Sequence, residues 1–351
     1  MSTMAGYILK RLLLMVPTLL GILLVSFLII QFVPGGPVEQ LVQELRGRGL
    51  AGEVASTGGG YRGAQGVDET RLKEIRALYG FDRPAWERFV DMVVRYARFD
   101  LGQSYFHHKS VWALMIEKLP VSISLGLWSF LLVYLVSIPL GIAKAVRNGS
   151  RFDLWTSTAI LIGYAIPGFV LGVALLVLFG GGSFLQWFPL RGLVSDHWAE
   201  LSWGGRVLDY FWHLALPLTC LVLGSFAVTT MLTKNTFLEE IRRQYVLTAR
   251  AKGLSERRVF YRHIFRNALI PLVTGFPAAF IGAFFAGSLL IETLFSLDGL
   301  GLLSYEAVIR RDYPVVMGSL FFFSLLALAT RLITDLMYVW VDPRVKFGAS
   351  R

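Results

Sequence analysis

A single cysteine, Cys220, occurs among 351 residues, so the chain's own cysteines can build neither a disulfide nor a thiolate metal cluster. Charge is scarce too: Asp, Glu, Lys and Arg make up 17%, against about 25% in ordinary soluble domains. No Gly-x-x-x-x-Gly-Lys-Ser/Thr run is present, so the sequence carries no phosphate loop of that kind. What fills the chain instead is apolar. Hydrophobic residues account for 55%, 35 glycines come on top of that, and mean hydropathy is +0.58. A water-soluble globule could not cover so much apolar surface, and a disordered chain would not carry it. The sequence reads as an integral membrane protein.

A spanning helix needs about 20 mostly apolar residues at a rise of ~1.5 Å each. Six windows meet that requirement: 12–33, 120–143, 154–180, 213–233, 268–291 and 315–340. The first follows Lys10 and Arg11 as a signal peptide would. Its apolar run is too long for one, contains Pro17 and ends at Phe32-Val33-Pro34-Gly35 without a small-x-small cleavage site. It reads as a retained first span. Pro139, Pro167, Pro217 and Pro277 lie in or near spans, where proline is more often a kink than a ligand.

Basic residues in the short loops set the expected orientation. Seventeen fall on the side of the amino terminus, the second–third and fourth–fifth connections and the tail; the opposite short loops hold four, Arg191, Arg206, Arg310 and Arg311. Both termini are therefore expected in the cytoplasm and residues 34–118 outside. The net charge of +10 is mostly this asymmetry and gives little reason to expect nucleic-acid binding. The expected division is 1–33 for the cytoplasmic amino terminus and first span, 34–118 for an extracytoplasmic insertion, 119–341 for the membrane domain with its cytoplasmic loop 234–267, and 342–351 for a cytoplasmic tail.

Within the insertion, Arg46 to Gly66 is glycine-rich and reads as a loop. Two amphipathic helices follow. Asp68 can cap the first, with Leu72, Ile75 and Leu78 on its apolar face and Gly80 at its end. The second has Pro84 in its first turn and Trp86, Phe89, Met92, Val93 and Tyr96 at helical spacing. These faces either pack on the rest of the protein or dock an external partner. His107 and His108 are adjacent and would point apart in regular structure, which disfavours joint metal ligation.

The fourth–fifth connection is the most informative stretch. Ala249, Ala251 and Gly253 are small enough for close backbone approach, while Arg250, Lys252 and their neighbours keep the segment in water. Insertion into a groove of another protein fits this pattern, and so does a basic helix lying on anionic lipid.

Thr248-Ala249-Arg250-Ala251-Lys252-Gly253-Leu254-Ser255, with His263 and Arg266-Asn267-Ala268-Leu269-Ile270-Pro271 behind it, resembles the cytoplasmic loop of bacterial ABC importer permeases of the dipeptide/oligopeptide family. Further matches run along the chain in order: Tyr79-Gly80-Phe81-Asp82-Arg83-Pro84, Asp100-Leu101-Gly102-Gln103-Ser104, Glu292-Thr293-Leu294-Phe295, Gly299-Leu300-Gly301, Arg311-Asp312-Tyr313-Pro314 and Asp342-Pro343-Arg344. Asn148-Gly149-Ser150-Arg151-Phe152-Asp153, Gly163-Tyr164-Ala165-Ile166-Pro167 and Phe188-Pro189-Leu190-Arg191 are most similar to the microcin C/oligopeptide uptake branch. Two departures stand out. Leu247 occupies the place where the general importer signature opens with glutamate, and Arg331 stands where the family commonly has a neutral polar residue.

The resemblance implies an all-α integral membrane protein of six transmembrane helices with type I ABC importer architecture. It implies a transport subunit without cofactor or catalysis of its own, partnered by a second related permease, two ATPase subunits and an extracytoplasmic peptide-binding protein. It assigns ATPase coupling to Tyr245, Thr248, Ala249, Arg250, Ala251, Lys252, Gly253 and Ser255. A secondary transporter would need ionisable groups near the midplane, and a membrane enzyme a clustered acid, base, nucleophile or metal set. Arg331 and Asp335, at i and i+4 on the last span, are open to two readings: a mutually neutralising pair, or a contact with peptide in the pathway.

Overall fold

The computed structural model describes residues 4–32, 82–180, 184–285 and 289–341. The expected glycine-rich loop, the helix from Asp68 to Gly80 and the tail motif Asp342-Pro343-Arg344 lie outside the described residues. The described residues form helices and one isolated antiparallel bridge, Gln103–Ser110, with no strand. The helices are α1 (Met4–Phe32), α2 (Ala85–Ala97), α3 (Val111–Val146), α4 (Arg151–Ala165), α5 (Gly168–Leu175), α6 (Trp203–Ile241), α7 (Gln244–Ala251), α8 (Glu256–Val259), α9 (Phe265–Ala268), α10 (Ile270–Phe285), α11 (Leu289–Leu294), α12 (Leu300–Ile309) and α13 (Tyr313–Val341). A π-helical turn, Leu176–Gly180, extends α5, and another, Phe260–Ile264, joins α8 to α9.

Four helices are long and apolar enough to cross a membrane unaided: Ala5–Phe32, Val111–Val146, Trp203–Ile241 and Tyr313–Trp340. They coincide with the first, second, fourth and sixth apolar windows. The third window is a bent pair, Arg151–Ala165 with Gly168–Gly180 at 88°; a second bent pair, Glu256–Ala268 with Ile270–Gly282 at 45°, overlaps the fifth window through its second helix. Counting each pair as one span gives up to six by length and composition, although the second pair then begins at Glu256, inside the expected cytoplasmic loop 234–267.

The sharper break has a local cause. A residue before proline is pushed out of the helical region, and Ile166 sits at φ −88°, ψ 117° with Pro167 opening α5. Gly168 then lies against α6 so closely that a Cβ there would be 2.9 Å from the Cys220 carbonyl oxygen. Pro139 and Pro217 remain inside α3 and α6. In the fifth window the bend falls at Leu269, ahead of Pro271, and Pro277 stays within α10.

The chain divides into two compact units. One comprises Met1–Leu9, Lys118–Leu303 and Ala327–Arg351. One apolar cluster in it joins Leu125 of α3, Leu214, Leu216, Leu218 and Cys220 of α6, and Ile291, Phe295 and Leu297 around α11. Where α3 meets α6, a Cβ on Gly141 would lie 2.6 Å from Thr233 Cβ and 2.8 Å from the Thr230 carbonyl oxygen. Small residues at such crossings let backbones approach, and that packing holds helices together in lipid.

The other unit comprises Lys10–Glu117 and Ser304–Leu326. Its helix α2 begins just after Pro84 and buries Met92 and Tyr96, while Phe89 meets Phe27 at 5.4 Å between ring centroids. Tyr96 in turn packs on Phe321 at 5.0 Å. Trp86, expected on the same apolar face, is exposed at 67% because it sits in the first turn, beyond the packed stripe. Two motifs from distant parts of the chain meet in this unit. Buried Asp312 accepts hydrogen bonds from the Ser104 hydroxyl and, at 3.1 Å, from the Tyr105 amide.

Candidate functional site

The segment 245–255 is built on a small apolar core. Val246 and Ala249 of α7 are buried with Phe237, Val259, Ile264 and Ala268, and Tyr245, Leu254 and Phe260 pack around them. This braces α7 from within. Its other face is exposed: Leu247, Thr248, Arg250 and Ala251 are open, followed by Lys252, Gly253 and Ser255. Ala249 thus serves this chain's own core, and of the three small residues only Ala251 and Gly253 lie on the open surface.

Gly253 was expected to permit close backbone approach. A Cβ built there meets nothing within 4 Å in this chain; the backbone demands glycine because φ is +74°. Gly253 follows the helix cap, its amide donating to the Arg250 carbonyl at 2.9 Å and the Leu254 amide to the Ala249 carbonyl at 3.3 Å. That pair of bonds is a Schellman closure, and the left-handed residue in it favours glycine. Arg250 makes a two-pronged pair with Glu256, Nε to Oε1 at 2.8 Å and Nη2 to Oε2 at 3.0 Å, which ties α7 to α8 across the turn. Tyr245 Oη donates to Glu240 Oε2 and lies 3.3 Å from the His263 carbonyl, so it links both ends of the loop. Burial, and then the bond to Glu240, push its phenol pKa up, which keeps it a neutral donor.

A cluster that the sequence reading missed anchors this loop to the spans. Lys144 is fully buried; its ammonium bonds the Asp153 carbonyl at 3.0 Å, Thr156 Oγ1 at 2.8 Å and Ser157 Oγ at 2.7 Å, and pairs with Asp153 Oδ1 at 3.1 Å. Lys234 reaches both carboxylate oxygens of Asp153 at 2.7 Å. The Gly149 amide donates to Asp153 Oδ2 at 3.1 Å, and Ser150 caps α4 through the Asp153 amide at 3.2 Å. The local signal was Ser-x-x-Asp at the start of a helix; counting the lysines as loop charges concealed their common partner.

In the sequence Glu292 stands only as the first residue of the Glu292-Thr293-Leu294-Phe295 match. It is completely buried, and its Oε2 accepts the Leu302 amide at 2.8 Å, with the Gly301 amide and Ser122 hydroxyl also bonding the carboxylate. A carboxylate at the start of α12 is favoured by the helix's unpaired amides and dipole. The glycines of Gly299-Leu300-Gly301 make room for it: a Cβ at 299 would lie 2.6 Å, and at 301 3.0 Å, from Oε2. Beside it is a cavity of about 990 Å³, walled by α3, the α4–α5 break, α6, α10 and α11. Its lining is largely apolar and aromatic, with Ser122, Ser129, Thr229 and Glu292 among the polar residues.

Arg331 and Asp335 share α13 but not a described bond. Tyr7 Oη donates to Asp335 Oδ2 at 2.9 Å, which ties the start of α1 to α13, whereas Arg331 is exposed.

Comparison with known proteins sets these arrangements in a family. Residues 137–347 match the family described as binding-protein-dependent transport system inner membrane component. The chain is 56% identical to the peptidoglycan transport system permease protein YejB of Agrobacterium fabrum, over 98% of this chain and 99% of that one. It is 51% identical to the inner membrane ABC transporter permease protein YejB of Escherichia coli O157:H7, again over 98% and 99%. A di/tripeptide transport system permease protein, DppB of Pseudomonas aeruginosa, is 33% identical over the same shares. With most of its spans inside the matched region and these relatives aligned from end to end, the chain belongs to the family of binding-protein-dependent transport system inner membrane components, the permeases of ABC importers.

Proposed function

We propose that the chain is the permease subunit through which an ABC importer moves peptides or peptide conjugates, of the oligopeptide and microcin C type, across the bacterial inner membrane. The observation that carries this reading is the end-to-end similarity to permeases named for di/tripeptide and peptidoglycan transport. Peptidoglycan fragments are sugar–peptide conjugates, so both names fall within one chemical class. A largely apolar cavity with a few convergent polar groups is the kind of site that holds such a ligand.

In this reading a second related permease faces this one, two ATPase subunits supply the energy, and an extracytoplasmic peptide-binding protein delivers the substrate. Both termini and residues 234–267 lie in the cytoplasm and residues 34–118 outside. Tyr245, Thr248, Ala249, Arg250, Ala251, Lys252, Gly253 and Ser255 form the element that receives the ATPase stroke. The support is an internally braced α7 with an open outer face on which Leu247, exposed at 58%, offers an apolar contact.

The test is growth on oligopeptides as sole source of a required amino acid, in a strain lacking other peptide importers. Deleting the gene should abolish growth and also confer resistance to microcin C. Unchanged peptide uptake together with loss of, for instance, nickel uptake defeats the peptide reading. Mass spectrometry of the ligand that copurifies with the assembled complex and its binding protein separates free oligopeptides from peptidoglycan fragments.

A further inference from the structure

Glycines in the spans of this chain differ in what surrounds them. Gly141, Gly168 and Gly172 sit where another element presses close: a Cβ on them would lie 2.6 Å from Thr233 Cβ, 2.9 Å from the Cys220 carbonyl oxygen and 2.6 Å from Leu294 Cδ2. Gly224 of α6 and Gly282 of α10 are of another kind. A Cβ on either would meet nothing within 4 Å, and neither has left-handed backbone. Glycine within a helix is less favourable than alanine, so neither backbone geometry nor close packing within this chain accounts for it at these two positions.

What the two share is the cavity of about 990 Å³. Small residues line it from α6 and α10, with Gly224 and Ser225 on the one and Ala279 and Gly282 on the other. Aromatic residues line it from α3 and from both sides of the α4–α5 break: Tyr134, Tyr164 and Phe169. A second, independent observation points to an occupant. Glu292 belongs to the same lining, is completely buried, and keeps Oε1 without a hydrogen-bond partner among the described residues. Such an atom is costly to keep, and its place beside the space marks a site rather than a packing gap.

We propose that Gly224 and Gly282 set the size limit of the passage through this chain: without side chains there, the cavity has room for a bulky, ring-bearing side chain of a peptide. The inference rests on the peptide reading above. Rings pair favourably with other rings in offset or edge-on arrangements, which the aromatic part of the lining offers. Apolar pockets discriminate by size, because one methylene more or less changes recognition about 10–200-fold. Bulk added at either glycine should therefore exclude large side chains before it affects small ones.

The experiment uses the complete complex in proteoliposomes at saturating binding protein, and compares uptake of trialanine with that of alanyl-phenylalanyl-alanine. The binding protein is the same throughout, so any change in the ratio of the two rates between wild type and variant belongs to the permease. Gly224→Leu and Gly282→Leu should each lower uptake of the phenylalanine peptide about tenfold and leave trialanine uptake within about twofold. Gly275→Leu is the control: a Cβ on this glycine of α10 also meets nothing within 4 Å, but Gly275 is not part of the cavity lining, and the ratio should stay at the wild-type value. The double variant Gly224→Ala, Gly282→Ala adds only two methyl groups and should shift the ratio the same way by about threefold. Equal loss of both peptides in the leucine variants, or an equal shift in Gly275→Leu, overturns the size limit. If the leucine variants fail to assemble, the double alanine variant decides, and an unchanged ratio there means that these glycines face the second permease or lipid. Wild-type complex that moves neither peptide defeats the peptide reading itself, which is a different result from a working importer with unaltered ratios.

Discussion

Lys234 grips Asp153 by both carboxylate oxygens, each 2.7 Å from its ammonium, across 81 residues of sequence. The same carboxylate also meets the fully buried Lys144, so one anion serves two cations at the junction of α3, α4 and α6. Since α6 leads directly into α7, this cluster anchors the base of the loop proposed to receive the ATPase.

The asymmetry of that cluster makes a prediction. Asp153→Ala removes the carboxylate from the buried Lys144 and the half-buried Lys234 and should cost about 3–5 kcal/mol, read as a lower melting temperature and lower yield of the purified complex. Lys234→Met leaves a balanced Lys144–Asp153 pair and should cost clearly less. A Lys234→Met variant as unstable as Asp153→Ala would show that the charge balance is not what matters.

The coupling role of α7 is tested by adding bulk where the backbone tolerates it. Ala251→Trp sits on the open face in ordinary helical geometry and should reduce transport and stimulated ATPase activity about tenfold, equivalent to about 1.4 kcal/mol of lost docking. Arg258→Ala should change either by less than about twofold, because rim charges steer association more than they hold it. A lipid-binding segment would give the reverse order. Normal coupling by Ala251→Trp, with all subunits present, removes α7 from this role.

Gly253 separates backbone from packing. With φ at +74°, Gly253→Ala should destabilise the α7 turn by about 1–2 kcal/mol, although nothing in this chain would touch the added methyl. Gly253→Asn, which adopts left-handed backbone more readily, should be milder. Local protection of the α7 amides in hydrogen exchange reports the difference, and identical protection in both variants contradicts the argument from φ.

Orientation is checked with Ser56→Cys and Ser255→Cys in a Cys220→Ser background, labelled on intact spheroplasts with an impermeant thiol reagent. Lys144 and Lys234 are turned inward to Asp153, yet fifteen basic residues in the terminal segments and loops assigned to the cytoplasm still face four in the opposite short loops. Label is expected at position 56 only. Label at 255 and none at 56 would invert the topology.

The sequence by itself determined the features that depend on neighbours along the chain. Apolar windows of spanning length located the four unaided spanning helices and the bent third window, and Gly253 the end of α7, because length and the left-handed turn are local properties. Even the break at Ile166-Pro167 was present as a proline, though its 88° sharpness was not. Tertiary structure decided everything that joins distant positions: Lys144 and Lys234 converging on Asp153, Ser104 on Asp312, Tyr7 on Asp335, and the carboxylate of Glu292 lodged where Gly299 and Gly301 have no side chain. It also turned Ala249 inward and Ala251 outward, which spacing over eight residues could not do. The physical reason is that a lone charge in an apolar sequence states only that it needs a partner, and which partner reaches it depends on the packing of the helices that carry them.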